Sequence, residues 1–268
     1  MGWLEAIILG LVEGITEFLP ISSTGHLILT QSLLGLHGPA IEALLIFIQG
    51  PAILAVCWEF RKKLLHTAFS LHSEATSRRF VINLLIVFLP VAMLALLFGD
   101  EIKAVLFKPV PVAIALVVGG VIILWAERRT HSERVQDVDQ LTAVDALKLG
   151  AFQALSLIPG TSRSGATIIG GLLCGLSRKT AAEFSFFVAI PVLLSATVYE
   201  LWKERAAIAQ LDTAPLVLAC AVSFVSALLA VKFLIRFVSR HSFAAFAWYR
   251  IVFGALILIT AWTGLVKW

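Results

Sequence analysis

The sequence predicts an all-α integral membrane protein from three observations: an excess of apolar residues, six long apolar stretches, and two further apolar stretches that are interrupted in the middle. Hydrophobic residues make up 59% of the 268 residues and charged residues only 14%, with a mean hydropathy of +0.95. Soluble globular chains are about 45–50% apolar and about 25% charged. A soluble fold of this length cannot hide so much apolar surface from water, so the excess must face lipid.

The six long apolar stretches are predicted to be transmembrane helices. Such a helix needs about 20 mostly apolar residues, within a range of about 17–25. The predicted spans are Ile41–Phe60, Phe80–Phe98, Pro111–Ala126, Ala181–Leu201, Ala214–Ile235 and Phe246–Val266.

The two interrupted stretches are predicted to be re-entrant helix–loop–helix segments. Leu4–Leu34 is broken by Leu19–His26, and Ala143–Leu176 is broken by Ile158–Gly165. Both breaks are rich in Pro, Gly and hydroxyl residues, which release backbone groups from helical pairing. Non-helical backbone at membrane depth is tolerated only inside protein or along a polar cavity. Each half-helix is too short to cross the bilayer alone.

The two halves of the chain match faintly at an offset of 140 residues. The matching pairs are Leu9-Gly10 with Leu149-Gly150, Glu13 with Gln153, Gly25 with Gly165, Pro51 with Pro191, and Ser23 with Ser162 one residue out of step. Each half has one broken segment and three spans, so the second copy must enter the membrane inverted. We therefore predict a single membrane domain over residues 1–268, with a first repeat at 1–127 and a second, inverted repeat at 141–268.

Charged residues between the spans predict the orientation. Basic residues crowd three connections, at Arg61–Lys63 with Arg78 and Arg79, at Arg128, Arg129 and Arg134, and at Lys232, Arg236 and Arg240. The positive-inside rule places these on the cytoplasmic side. We interpret the net charge of +4 as this loop bias and not as a nucleic-acid-binding surface. The isolated Cys57, Cys174 and Cys220 are predicted to be small buried hydrophobes, without disulfides or structural zinc.

The first break carries a set of reactive side chains. Glu13 and Glu17 are four residues apart and share a helix face, and Ser22, Ser23, Thr24 and His26 follow. Charged groups inside a membrane are costly and usually functional. Two adjacent carboxylates repel each other unless a cation or an arginine lies between them, which indicates a metal or catalytic role. The alternatives are a structural ion pair for Glu13 and a merely hydrogen-bonded core position for His26.

The second break predicts an anion site. Arg163 lies at the start of a half-helix, flanked by hydroxyl and glycine residues: Thr161, Ser162, Ser164, Gly165 and Thr167. A guanidinium fork, free backbone N–H groups and hydroxyl donors together suit phosphate. A structural role for Arg163 is the alternative. Carboxylates, Ser and His in one break and a phosphate clamp in the other fit phosphoryl-transfer chemistry.

These motifs closely resemble those of the undecaprenyl pyrophosphate phosphatase family, the family tied to bacitracin resistance. The matching stretches are Glu13–His26, Pro159–Thr167, Arg178–Pro191 and Tyr249-Arg250, and the resemblance covers essentially the whole chain. One departure is Gln49-Gly50-Pro51, where the family more often has Gln-Leu-Gly, which bears on a helix kink near the site.

The resemblance implies a bacterial inner-membrane hydrolase that converts the lipid pyrophosphate to the monophosphate carrier for cell-wall synthesis. It implies interlocking re-entrant helices, a site open to the periplasm and help from a divalent cation, Mg²⁺ or Ca²⁺. Carried over residue by residue, Glu13 and Glu17 are the acidic pair and the metal ligands, and Ser23 and His26 are catalytic. Arg163 binds phosphate, supported by Ser162, Ser164, Gly165, Thr167 and Thr24.

Two chemical schemes and one other class of function stay open at this point. In the first scheme Ser23 attacks the terminal phosphorus and Glu17 or His26 takes its proton. In the second, a metal-activated water attacks and Ser23 only donates a hydrogen bond. The other class is a secondary transporter or flippase of a lipid phosphate or other anion, built on the same Arg163 pocket. The oligomeric state is also open, with a homodimer as one option.

Overall fold

The protein is all α-helical in the part that the structure, a computed structural model, describes: residues 1–129, 132–209 and 211–266. The helices in these ranges are α1 (Trp3–Thr16), α2 (Ser23–Leu33), α3 (Pro39–Phe47), α4 (Gln49–Glu59), α5 (Arg61–Ser70), α6 (Ala75–Leu106), α7 (Pro109–Glu127), α8 (Ala143–Ala154), α9 (Arg163–Leu173), α10 (Arg178–Lys203), α11 (Arg205–Ile208), α12 (Thr213–Val238) and α13 (Ala244–Thr263). Short 3₁₀ turns cover Val138–Gln140 and Leu155–Leu157.

Six helical stretches of the described chain are long and apolar enough to cross a membrane. They are α3 together with α4 (Pro39–Glu59), α6, α7, α10, α12 and α13. Each contains or overlaps one of the six predicted spans, so the prediction of an all-α protein with six spans is confirmed. The main difference is α6, whose 32 residues run well beyond the predicted Phe80–Phe98 at both ends.

The span formed by α3 and α4 is interrupted at Ile48, where one helix ends and the next begins. Pro51 follows in the first turn of α4 and has no N–H to donate to the preceding turn. The kink expected near Gln49–Pro51 therefore lies at this interruption.

Both interrupted stretches form a helix, a break and a second helix. Residues 17–22 separate α1 from α2, and residues 155–162 separate α8 from α9. Phe18 in the first break and Ser162 at the end of the second are buried in protein. Burial of this kind is what non-helical backbone requires at membrane depth. Re-entry of the two segments into a bilayer remains a prediction.

The half-helix of each segment packs against a span from the opposite half of the chain. Helix α1 packs along α12, and α8 packs along α6. Gly10 and Gly14 make the first contact close, because a Cβ on Gly10 would lie 2.5 Å from the Ala219 carbonyl oxygen and one on Gly14 would collide with Ser226 Oγ. Small residues four apart allow such close helix approach in membranes.

Two serines have the same unusual backbone conformation at equivalent points. Ser22 (φ 71°) and Ser162 (φ 74°) precede α2 and α9, and they are the only non-glycine residues with positive φ in the described chain. They are 140 residues apart, so the structure pairs Ser162 with Ser22. The sequence comparison had paired Ser162 with Ser23. The division into repeats at 1–127 and 141–268 remains a prediction, which this shared turn and the paired helix contacts support.

The basic connections are more ordered than the sequence indicates. The first contains helix α5, where a loop is predicted, and Lys63 Nζ donates to both carboxylate oxygens of Asp139 at 2.5 Å. Arg178 pairs with Glu127 at 2.6 Å. The three cysteines were predicted to be buried, but Cys57, Cys174 and Cys220 are free thiols of intermediate exposure.

Candidate active site

Glu17 joins the two breaks. Its Oε2 accepts a hydrogen bond of 2.5 Å from Ser23 Oγ, on the first residue of α2. Its Oε1 accepts one of 3.0 Å from Arg163, the first residue of α9. All three side chains are at least nine-tenths buried. One carboxylate thus holds a hydroxyl and a guanidinium together, although Glu17 and Arg163 are 146 residues apart.

Arg163 is positioned by a residue that sequence analysis missed. Its NH1 donates to the Ser185 carbonyl oxygen at 3.0 Å and to Ser185 Oγ at 3.3 Å. Thr167 Oγ1 donates to Ser185 Oγ at 2.6 Å, which fixes that hydroxyl. The buried Nε of Arg163 has no hydrogen-bond partner among the described residues and is a free donor for an anion. The signal for Ser185 was its place as a polar residue in an apolar span.

The other hydroxyl residues predicted to bind phosphate are engaged within the protein. Ser162 Oγ caps α9 by accepting from the Gly165 N–H at 3.1 Å. Ser164 Oγ donates to the Leu19 carbonyl oxygen at 2.8 Å and so ties the second break to the first. Thr24, next to Ser23 on α2, is half-buried. These contacts hold the start of α9 in place, and any contact of Ser162, Ser164 or Gly165 with substrate would have to replace them.

Glu13 is the carboxylate of the site that has no hydrogen-bond partner among the described residues. It is fully buried one turn before Glu17, and neither carboxylate oxygen has a hydrogen-bond partner among the described residues. A buried carboxylate without a partner is costly unless a cation or a proton compensates it.

A divalent cation fits this donor set. Mg²⁺ and Ca²⁺ take oxygen ligands, and Mg²⁺ is commonly held by one or two carboxylates with water and substrate phosphate oxygens. The described residues contain no cluster of three or more His, Cys, Asp or Glu side chains that could hold a metal ion. Glu13, with Glu17 beside it, would therefore leave most coordination positions to water and phosphate.

Both ring nitrogens of His26 have partners other than Ser23 Oγ. Its Nδ1 lies 2.7 Å from the Ser22 carbonyl oxygen and its Nε2 lies 2.7 Å from the Tyr249 hydroxyl. The ring stacks on Phe253 at 4.1 Å between centroids. Because a carbonyl only accepts, Nδ1 carries the proton, and in the neutral ring Nε2 accepts from Tyr249. His26 thus holds the strained Ser22, and the partner of the Ser23 hydroxyl is Glu17.

Arg250 forms hydrogen bonds with backbone carbonyl groups of both breaks. It is 1% exposed and donates to five backbone carbonyl groups and to no carboxylate of the described chain. The acceptors are Pro20 in the first break, Gly160 and Thr161 in the second, and Ala115 and Leu116 in α7. A Cβ on Gly165 would lie 3.0 Å from this guanidinium. Its charge adds to the positive field of Arg163 where the breaks meet. An arginine inside an apolar span was the available signal.

Comparisons with known proteins show the family of the chain. The family model described as "Bacitracin resistance protein BacA" matches residues 6–256. The chain is 59% identical to undecaprenyl-diphosphatase 2 of Rhodospirillum rubrum over 266 residues, which is 99% of this chain and 97% of the relative. It is 56% identical to the undecaprenyl-diphosphatase of Nitrosospira multiformis over 271 residues, or 100% and 99% of the two chains. The chain therefore belongs to the family of the bacitracin resistance protein BacA and is a multi-pass membrane protein.

Proposed function

We propose that this chain hydrolyses undecaprenyl diphosphate to undecaprenyl phosphate and inorganic phosphate, which returns the lipid carrier to cell-wall synthesis. The observation that carries the proposal is the Ser23–Glu17–Arg163 chain of hydrogen bonds, at 2.5 and 3.0 Å. A hydroxyl, a carboxylate and a guanidinium that are hydrogen-bonded in series support the roles of nucleophile, base and anion ligand. The relatives named undecaprenyl-diphosphatase, at more than half identity over the full chain, support the same substrate.

In the proposed reaction, Ser23 Oγ attacks the terminal phosphorus while its proton passes to Glu17 Oε2. The bond from that phosphorus to the bridging oxygen breaks, and undecaprenyl phosphate leaves with the bond's electron pair. Water then attacks the phosphorus of the phosphoserine while a carboxylate of the site takes its proton. The bond from phosphorus to Ser23 Oγ breaks, Oγ takes back the proton held by Glu17, and phosphate is released. An oxygen nucleophile hydrogen-bonded to its base is the usual geometry for such a step.

Arg163 stabilises the negative charge that spreads over the phosphoryl oxygens, as a pre-placed guanidinium does in other phosphoryl transfers. Glu13, with Glu17 beside it, would hold a divalent cation that neutralises the diphosphate when bound. His26 and Tyr249 keep the turn at Ser22, and with it Ser23, in place.

The proposed setting is the bacterial plasma membrane, with the site open to the periplasm. The distribution of charge supports this orientation of the spans. Basic residues follow the ends of α4, α7 and α12, at Arg61, Arg128 and Arg240. Acidic residues lie near the end of α6, at Asp100 and Glu101, and before the start of α12, at Asp212. The homodimer stays a prediction.

The test is phosphate release from a polyprenyl diphosphate by the full-length protein purified in detergent, with Mg²⁺ or Ca²⁺ and with a chelator. Ser23→Ala is compared with Ser32→Ala, a hydroxyl on the same helix that only bonds back to Ile28. We expect cation-dependent release, a loss of about 10³-fold or more in Ser23→Ala, and an unchanged rate in Ser32→Ala.

A denatured reaction mixture analysed by mass spectrometry would show whether phosphate is transferred to Ser23. Activity of Ser23→Ala within about tenfold of wild type would replace serine attack by direct attack of water. No release by the folded wild-type protein would refute the hydrolase and leave an anion-binding transporter.

A further inference from the structure

A second basic site lies away from the breaks, where α4 ends and α5 begins. A cavity of about 450 Å³ is lined there by Glu59, Phe60, Arg61, Lys62, Lys63 and Lys232. Five of these residues come from the α4–α5 junction, and Lys232 comes from α12. Four basic side chains thus converge on one cavity from two separate parts of the chain.

The cavity keeps an excess of positive charge after its ion pairs are counted. Lys63 is neutralised by Asp139 at 2.5 Å, and Lys232 lies 3.5 Å from Glu59. Four cations and two carboxylates leave a net charge of about +2, contributed by the exposed Arg61 and Lys62. An anion that enters the cavity therefore meets a site that is not already satisfied.

Lys232 reaches this site from a different span. It lies in α12, six residues before that helix ends at Val238, within the stretch that the positive-inside rule counts. Its position on the helix brings it to Glu59 at the end of a different span. The positive charge is therefore gathered around a cavity and not only distributed along one side of the membrane.

Exposed aromatic side chains occur on the same helices as the residues that line the basic cavity. Trp58 is 56% exposed, and the Arg61 guanidinium lies 4.8 Å from the centroid of its ring. Phe233, next to Lys232, is 52% exposed, and Phe69 on α5 is 86% exposed. Aromatic residues beside basic ones are typical of the boundary between lipid tails and head groups. A ligand here must be anionic at one end and apolar at the other.

We propose that this cavity binds the phosphate-bearing head group of an anionic phospholipid. Arg61, Lys62 and Lys232 contact the phosphate, and the acyl chains lie along the apolar surface beside Trp58 and Phe233. Clusters of basic residues immediately next to a membrane span bind anionic head groups in this way. The site is separate from Glu17 and Arg163 and takes a bulk membrane lipid, not the substrate.

The experiment counts lipids that stay bound to the full-length protein, by native mass spectrometry from mixed micelles of phosphatidylglycerol and phosphatidylcholine. The test variant is Arg61→Gln/Lys62→Gln/Lys232→Gln. The matched control is Arg128→Gln/Arg236→Gln/Arg240→Gln, which removes the same charge from exposed basic residues that do not line the cavity. Phosphate release in detergent is measured for all three proteins to establish that they are folded.

We expect wild type and the control to retain phosphatidylglycerol over phosphatidylcholine, and the test variant to lose that preference. Each basic residue at a membrane surface contributes about fivefold to the affinity, so the single variants Arg61→Gln and Lys62→Gln give intermediate losses even if the triple variant does not fold. Equal losses in the test and control variants would overturn the site in favour of general charge attraction. Displacement of the lipid by millimolar inorganic phosphate would overturn the lipid in favour of a free anion.

Discussion

At the start of α2 and at the start of α9 the chain makes the same turn, with Ser22 and Ser162 at φ 71° and 74°. The residues that follow differ: Ser23, Thr24, Gly25 and His26 in one, and Arg163, Ser164, Gly165 and Ala166 in the other. The position that holds the hydroxyl in the first holds the guanidinium in the second. The same backbone turn therefore positions the Ser23 hydroxyl at the start of α2 and the Arg163 guanidinium at the start of α9. Glu17 forms hydrogen bonds with both.

The largest effect expected within this comparison is at Glu17, the residue that bridges the two turns. Glu17→Gln removes both the base for Ser23 and the charge that pairs with Arg163, and loss of a general base costs about 10²–10⁴-fold. We expect single-turnover phosphate release to slow by about 10³-fold. Glu5→Gln, a half-buried residue in the first turn of the same helix, serves as the control and should behave as wild type. A rate within tenfold of wild type for Glu17→Gln would remove Glu17 from the proton transfer.

A smaller loss is expected at Arg163, whose counterpart in the first turn is Ser23. Arg163→Lys keeps the charge but loses the planar fork that reaches Glu17 and Ser185 together, and a lysine does not replace an arginine in such a site. We expect kcat/KM to fall about 10²-fold, and further in Arg163→Ala. The control is Arg240→Lys, an exposed residue on the basic side. Full activity of Arg163→Lys would show that only the charge matters.

The close approach of helices also differs between the halves, and paired substitutions at Gly10 and Gly150 measure it. A Cβ on Gly10 would lie 2.5 Å from the Ala219 carbonyl oxygen, whereas the nearest atom to a Cβ on Gly150 is 3.4 Å away. Gly10→Ala should destabilise the protein by about 1–3 kcal/mol. Gly150→Ala should be neutral or stabilising, since alanine favours a helix. The measurement is the thermal unfolding midpoint of each variant in detergent, compared with wild type. Equal midpoints for the two variants would contradict the difference in packing.

The smallest effect is expected at Tyr249, which acts on the first turn through His26. Tyr249→Phe removes one hydrogen bond of about 0.5–1.5 kcal/mol and leaves the stack with Phe253. We expect phosphate release to fall by about two- to tenfold, with the loss in kcat. His26→Ala should lose more, because it also frees the Ser22 carbonyl. A loss above a hundredfold in Tyr249→Phe would mean that the phenol itself takes part in the chemistry.

The outline of the fold and the reactive residues of each break were predictable, because they rest on local patterns. Hydropathy marks the six spans, and Pro, Gly and hydroxyl residues mark both breaks. The contact between the two breaks could be inferred only from the repeat and from the need to compensate buried carboxylates with a positive charge. Helix α5 was missed since ten residues rich in Lys, Arg and Leu resemble a basic loop.

What was not predictable depends on contacts between residues far apart in sequence. The ring of His26 is oriented by Tyr249, 223 residues away. Arg250 meets Pro20 over 230 residues. Neither contact leaves a periodic signal, and a polar residue in an apolar span indicates only that some partner exists. The choice of Glu17 over His26 as the partner of Ser23 follows from these orientations.

The five carbonyl contacts of Arg250 have a consequence for how the protein is made. Both turns of the site are translated before α13, but the guanidinium that bonds to Pro20, Gly160 and Thr161 and to α7 is added only with α13. A ribosome-bound chain that stops short of α13 contains Glu17, Ser23 and Arg163 but lacks the hydrogen bonds that connect the two turns through Arg250. We therefore expect the site to form only after α13 has been inserted into the membrane.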